Sequence, residues 1–209
     1  EKGIKWTTTL LAQYKKFIQV EVTAYISTIY DFIYLAPLPE PILTIRGAFP
    51  AFRYYQTDAQ LAGLDMTLKS TPAKWLSLYG RYSILRGKNK STDEYLIYMP
   101  ADNIAGGFEW QQDFSAVKNV FFGMEYKYTF EQKKLPISIP DFKAAPGDYH
   151  LLGASAGFTY PVNDKNSISF SVSGENITNS RYREYLNRFR YYADETAWNL
   201  TFRIKYSFQ

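Results

Sequence analysis

The chain has 209 residues, 46% hydrophobic and 21% charged, with a formal net charge of +4 from 24 basic and 20 acidic residues. No cysteine is present, which excludes disulfides and thiolate metal sites, and the basic residues are dispersed, which argues against a nucleic-acid partner. No stretch reaches the ~18 apolar residues a membrane helix needs, but the aromatic share is 18%, from 19 Tyr, 15 Phe and 4 Trp. That load suits the two aromatic girdles of a transmembrane β-barrel; an aromatic-rich soluble β protein is the plainer alternative at the level of composition.

The opening residues EKGIKWTTTL contain neither Met nor an apolar run of the kind a signal peptide carries, so the expectation is a mature chain or one cut from something longer. Alternation starts at once, with Trp6, Thr8, Leu10, Ala12 and Tyr14 on one parity and Thr7, Thr9, Leu11 and Gln13 on the other. Such period-two patterning predicts a strand. A turn at Tyr14-Lys15-Lys16-Phe17 leads into a second strand, with Ile18, Val20, Val22, Ala24 and Ile26 on its apolar side, continuing through Tyr34 into a loop with Pro37, Pro39, Pro41 and Pro50.

Further strands are expected at 62–69, 76–84, 104–111, 120–130, 152–160 and 167–175, each pairing an aliphatic or aromatic side with one of Ser, Thr, Gly and charged residues. Short turns are expected at Ser70–Lys74, Asp113–Lys118 and Pro161–Asn166, and long loops at 86–100, after Phe130 and over 176–195. The ninth strand alternates almost without error: Trp198, Leu200, Phe202, Ile204, Tyr206 and Phe208 against Asn199, Thr201, Arg203, Lys205 and Ser207.

Two regularities point to the architecture. All ten prolines are expected in turns and loops, as hydrogen-bond ladders demand. Connections are expected to alternate between about four to six and about fifteen to twenty residues, which places every long loop at one end; loops that long are uncommon in compact soluble domains and usual on one rim of a transmembrane barrel. The fold expected is therefore all-β, an antiparallel up-and-down meander of about nine long strands. The apolar face would meet lipid, and the Ser- and Gly-rich face, with paired signs such as Glu125 and Lys127, would line a lumen. A soluble sandwich would use the same apolar sides as a core.

The closing Tyr206-Ser207-Phe208 is similar to the aromatic-terminated assembly signal of TonB-dependent outer-membrane receptors, and Glu175-Asn176-Ile177-Thr178-Asn179-Ser180-Arg181-Tyr182 resembles that family's penultimate-strand motif. Arg183-Glu184-Tyr185-Leu186-Asn187-Arg188-Phe189-Arg190 resembles an extension found in receptors of the Bacteroidetes type. Ala62-Gly63-Leu64-Asp65 and Met99-Pro100-Ala101-Asp102 resemble strand-entry patterns. The chain departs from the family in having Ala197-Trp198 where Gly-Arg is frequent, and Gln209 after the usual terminal Phe.

The resemblance implies that residues 1–209 are the C-terminal portion of a 22-stranded barrel in a bacterial outer membrane, its last nine strands, with the plug, the TonB box and the first thirteen strands lying outside this chain. Nine strands by themselves leave two free edges, so an open sheet, or pairing of the edges with another chain, is expected rather than a closed nine-stranded barrel. It also implies energised import of a scarce nutrient, with the TonB complex engaged through the plug and outer-membrane lipid and lipopolysaccharide around the barrel.

Ligand contacts are expected in the long loops. Arg46, Phe49, Phe52, Arg53, Tyr54 and Tyr55 combine cations with aromatics near one strand entrance, and Arg183, Arg188, Arg190, Tyr191 and Tyr192 near another. Guanidinium forks and stacking faces suit an anionic aromatic cargo such as a ferric siderophore or similar metal chelate; loop packing and lipopolysaccharide binding are the competing uses of the same residues. No metal cluster, phosphate loop or nucleophile motif appears, and no cofactor is expected. His150 is the only histidine, which disfavours haem; with Asp148 it is the sole candidate catalytic pair, read as an ordinary loop histidine. A passive channel and, behind it, a barrel enzyme are the alternatives to import.

Overall fold

The structure, a computed structural model, describes residues 1–15, 17–163 and 165–208. Lys16 of the expected first turn, Asp164 of the turn at 161–166 and the terminal Gln209 lie outside the described residues. Nine strands form one antiparallel sheet: β1 Lys2–Tyr14, β2 Ile18–Pro37, β5 Phe52–Ala73, β6 Leu76–Asn89, β7 Asn103–Gln112, β8 Lys118–Thr129, β9 Tyr149–Pro161, β10 Ser167–Glu175 and β11 Asn199–Ser207, paired in that order. A small hairpin, β3 Ile42–Thr44 and β4 Gly47–Phe49, and one 3-10 turn at Arg188–Tyr191 complete the described elements. Among the described residues no helix is long and apolar enough to cross a membrane, which says nothing about crossing by strands.

The meander is open. β1 pairs with β2 alone and β11 with β10 alone, in line with the expectation of two free edges. The short connections β1–β2, β5–β6, β7–β8 and β9–β10 lie at one end and those at 38–51, 90–102, 130–148 and 176–198 at the other. Two of the long connections are shorter than expected because the flanking strands run further, β2 to Pro37 and β6 to Asn89. Phe52, Arg53, Tyr54 and Tyr55, expected in a loop, stand instead on the first rungs of β5 at the long-connection end, paired with Pro37, Ala36, Leu35 and Tyr34. Backbone pairing there satisfies amides that a free loop would leave to water.

The prolines require a similar correction. Pro37 and Pro161 are terminal strand residues and Pro72 sits in the irregular pairing between Ser70 and Ala73, while the other seven lie in connections. Strand ends and bulges are where a residue without an N–H breaks no ladder bond.

Cross-strand partners share a face, so the registers trace each face from edge to edge. One apolar row runs Leu10, Val22, Met66, Tyr82, Ile104 and Tyr128; another runs Trp110, Phe122, Ala156, Val172 and Phe202. The opposite face carries Thr9, Thr23, Asp65, Ser83, Asn103 and Thr129 in one row and Glu109, Gly123, Ser155, Ser173 and Thr201 in another. At the short-turn end, Tyr14, Phe17, Trp75, Phe114, Tyr160, Tyr206 and Phe208 are exposed large side chains, an aromatic concentration of the kind found at a membrane interface.

A bulge breaks this regularity in β2. Pairing passes from Ile29–Ala59 to Phe32–Thr57, so β2 spends one more residue than β5, and Asp31 takes a positive φ of 57° that Asp tolerates better than most residues. Its amide donates to Asp58 Oδ1 at 3.1 Å. Beyond the bulge the parity of β2 is reversed. Phe32, Tyr34 and Ala36 fall on the polar face, where an unbroken alternation would have put them on the apolar one.

Candidate functional site

The long connections do not stand away from the sheet. Apart from Pro37 and glycines, the buried strand residues are Ala36, Ala59, Ala105 and Thr129, all on the polar face and all towards the long-connection end. Met99 of the 90–102 connection reaches down to Gly87, where an added Cβ would stand 2.6 Å from its Sδ. The connections therefore fold over the polar face and roof it.

Asp141, in the 130–148 connection, holds the roof together. Its carboxylate accepts from the Arg190 guanidinium, from the Tyr191 hydroxyl at 2.5 Å and from the Tyr98 hydroxyl at 3.3 Å, so three connections meet on one acid. The Arg190 and Asp141 side chains retain 2% and 9% of their exposure. Tyr98 and Tyr191 hydroxyls lie 3.0 Å apart, and the Arg190 guanidinium sits 4.9 Å above the Tyr185 ring and 4.6 Å above that of Tyr191. A buried ion pair is costly to desolvate, and here the second guanidinium nitrogen is used as well, Arg190 Nη1 reaching the Ala144 carbonyl at 3.4 Å.

Further bonds fasten the backbone. Lys143 Nζ donates to the Tyr191 carbonyl at 2.5 Å, Arg183 donates to the Arg190 carbonyl at 2.7 Å and to Asp194 at 2.6 Å, and Asn187 caps the 3-10 turn by accepting from the Phe189 amide at 2.9 Å. Gln132 Nε2 donates to the carbonyls of Met99 and Pro100, both at 2.9 Å. Phe52 at the start of β5 joins the cluster, edge-on to Phe142 at 5.6 Å, 6.5 Å from Tyr191, and beneath the Arg188 guanidinium at 4.9 Å. Burial raises the phenol pKa throughout: Tyr185 is pushed up to about 12, and Tyr98 and Tyr191 also lie above the ordinary range, Tyr191 further supported by its bonds to Asp141 and Tyr98.

The structure brings Phe52, Arg188, Arg190 and Tyr191 into this one cluster, with Arg183 tied to its edge. Arg190 and Tyr191 are buried, and Arg188 is exposed. Arg53 and Tyr55 stand on the polar face, where Tyr55 stacks on Tyr34 at 5.9 Å and Tyr34 on Phe32 at 6.4 Å; Tyr54, 73% exposed, points from the other face. Arg46 occupies the exposed β3–β4 turn, its amide donating to Thr44 Oγ1 at 3.2 Å. Arg46, Arg53 and Arg188 have no carboxylate partner among the described residues.

Asp141, Phe142, Tyr98 and Tyr185 were not foreseeable as members, since nothing local distinguishes a loop Asp or Tyr that meets another loop. Phe32 and Tyr34 carried one signal, the Asp31 that interrupts an apolar run. The Asp148–His150 pair does not form: Asp148 accepts from the Tyr128 hydroxyl, and His150 stacks on Tyr126 at 5.9 Å. Among the described residues no group of three or more His, Cys, Asp or Glu could hold a metal ion.

Below the roof the polar face carries its own charges. The Tyr79 hydroxyl and Arg81 Nη2, at 3.0 Å, both donate to Glu125, with the Arg81 guanidinium 5.4 Å above the Tyr79 ring. Ser83 donates to Asp65 at 2.5 Å, and the Thr9 and Thr23 hydroxyls lie 3.0 Å apart.

The profile of the family described as TonB dependent receptor-like, beta-barrel matches residues 1–179. Among solved structures, the copper transporter OprC superposes with a TM-score of 0.74 at 17% identity, over 99% of this chain and 30% of that one. BauA, the ferric preacinetobactin receptor from Acinetobacter baumannii, gives 0.69 at 14% identity, over 99% of this chain and 29% of that one. The chain thus spans less than a third of the length of either structure. No curated protein matches significantly.

Proposed function

Because the chain belongs to the TonB-dependent receptor-like β-barrel family, we propose that it forms part of the wall and outer roof of a bacterial outer-membrane receptor that imports a scarce nutrient, with a ferric siderophore or similar metal chelate as the cargo its exposed chemistry fits best. In the whole protein a plug and the TonB complex energise transport. Residues 1–209 are the C-terminal portion of the barrel, and lipid and lipopolysaccharide surround its apolar face.

The observation that carries this reading is the roof itself. Loops tied through Asp141 cover the polar face, while Arg46, Arg53 and Arg188 have no carboxylate partner among the described residues; Arg53 shares the face of the Phe32–Tyr34–Tyr55 stack and Arg188 lies over the Phe52 ring. Unpaired guanidinium groups next to aromatic faces suit an anionic, ring-bearing chelate. Arg190, Tyr191 and Arg183 serve by fixing the loop that carries Arg188, and Phe52 by supporting Arg188 from below. The relatives' cargoes differ, copper for one and a ferric chelate for the other, so the fold leaves the metal and the chelator to be determined.

The test is uptake of radio-iron-labelled chelates, and of copper, by cells carrying the full-length receptor. Substituting Arg46, Arg53 and Arg188 together by Ala is expected to weaken binding of an anionic chelate by tenfold or more, about 1.4 kcal/mol or above, with the barrel still folded. Uptake should stop in cells lacking TonB. Uptake that persists without TonB would instead support a passive channel.

A further inference from the structure

Three glycines of the polar face and two of the apolar face differ in what surrounds them. On the polar face Gly63, Gly107 and Gly157 each lie under a ring from the adjacent strand: an added Cβ would stand 2.2 Å from Tyr25 Cζ, 2.8 Å from Tyr79 Cζ and 2.5 Å from Phe121 Cε1 respectively. Those glycines make room for rings. Gly80 and Gly106, paired directly across β6 and β7 on the apolar face, do not. A Cβ on Gly80 would meet nothing nearer than Leu68 Cβ at 3.9 Å, so internal packing does not account for a residue that weakens a strand.

What the pair produces is a hollow of about 600 Å³, walled by Val20, Met66, Leu68, Tyr82, Ile104 and Tyr126. The hollow opens on the apolar face: its own row runs Val20, Leu68, Gly80, Gly106 and Tyr126, the next towards the long connections Val22, Met66, Tyr82, Ile104 and Tyr128, and the next towards the short turns Ile18, Ser70, Leu78, Phe108 and Met124, where Ser70 is the one polar member.

We propose that this hollow seats one acyl chain of an outer-leaflet lipid, an inference that rests on the transmembrane reading given above. A void facing hydrocarbon forfeits the dispersion contacts of its walls unless a chain fills it. Position supports the same occupant. Arg86 lies six residues beyond Gly80 on the same face, about 20 Å along a strand at ~3.3 Å per residue and roughly 15 Å in height at a tilt of ~40°. That is half of the ~30 Å hydrocarbon core, the depth a chain end reaches from the leaflet on the loop side. At that rim Arg86 forms a two-pronged bond to Asp102, both contacts at 2.5 Å. Beside it Tyr128, Lys133, Lys134, Glu131 and Asp148 line a second, polar hollow. Both signs of charge are present, so the rim meets a polar headgroup without selecting an anionic one, and the selectivity resides in the chain seat.

Native mass spectrometry of the full-length receptor, extracted from outer membranes in mild detergent, tests this by counting retained lipids. The wild type should keep one lipid more than the Gly80→Leu variant, whose side chain fills the hollow, with Gly80→Ala in between; retention of the heat-modifiable band shows that each variant is folded. Equal lipid counts in folded wild type and Gly80→Leu would overturn the proposal. So would a receptor dimer that Gly80→Leu dissociates, since a second copy would then be the occupant. Wild-type receptor missing from the outer-membrane fraction would overturn the transmembrane reading itself.

Discussion

At Gly107 the Tyr79 ring crosses its neighbouring strand to bring its hydroxyl to Glu125, the residue paired with Gly107 on the far side. An added Cβ would stand 2.3 Å from the Met124 carbonyl oxygen, which the backbone cannot easily move, besides meeting the ring. At Gly63 only the outer end of the Tyr25 side chain is in the way, and that can swing. Ala at 107 is therefore expected to cost about 1–3 kcal/mol, the usual penalty for overpacking, and Ala at 63 distinctly less. Thermal loss of the heat-modifiable band in the full-length receptor checks the order; equal midpoints would sink it. Single residues also decide the roof, since one Asp141 carboxylate gathers donors from two other connections.

On the scale of elements, the connections behave as one cluster because their aromatic side chains pack against each other, joined by Phe52 at the start of β5 and Tyr149 at the start of β9. This gives the roof a pH dependence with a definite sign. Tyr185 titrates near 12 rather than at the ordinary 10.0, and Tyr98 and Tyr191 are shifted the same way, so the folded roof favours neutral phenols more than an opened roof does. Phenol pKa values raised by folding contribute stability that is complete below the ordinary value and is lost as pH rises through the shifted one. Loop opening is expected to set in above pH 10 and to advance through about 12, seen as late-titrating tyrosinate absorbance together with faster proteolytic nicking within 90–102, 130–148 and 176–198. Tyrosines that all titrate near the ordinary value, with nicking unchanged, would refute the coupling.

For the molecule as a whole, the decisive feature is the pair of open edges. β1 and β11 each present an unpaired ladder, and β1 is exposed along its full length. Exposed edges of long, flat, partly apolar strands invite pairing with other chains. Residues 1–209 produced alone in detergent are expected to associate through these edges and to show no heat-modifiable monomer, whereas the full-length receptor shows one. A monodisperse, heat-modifiable monomer of the isolated chain, seen by light scattering and gel shift, would mean that the edges close by another route.

The sequence by itself determined the nine strands of the main sheet, their antiparallel order, the two faces and the end at which the long connections gather. Period-two alternation and turn residues are local, and each strand carries its own record of them. The C-terminal motifs around Glu175–Tyr182 and Tyr206–Phe208 likewise pointed to the family from a few residues. Tertiary structure alone decided the rest. The Asp31 bulge moved Phe32 and Tyr34 to the polar face because register depends on the partner strand, and one extra residue reverses every side chain beyond it. Strand pairing also carried Phe52, Arg53, Tyr54 and Tyr55 out of the expected loop and divided them between the faces. Arg188, Arg190 and Tyr191 stood out in the sequence as cations beside aromatics, but their meeting with Asp141, Tyr98 and Phe142 arises from contacts between connections some fifty to ninety residues apart, for which no local pattern exists. The same distinction holds for Gly80 and Gly106, two ordinary strand glycines until the β6–β7 register sets them side by side on the apolar face.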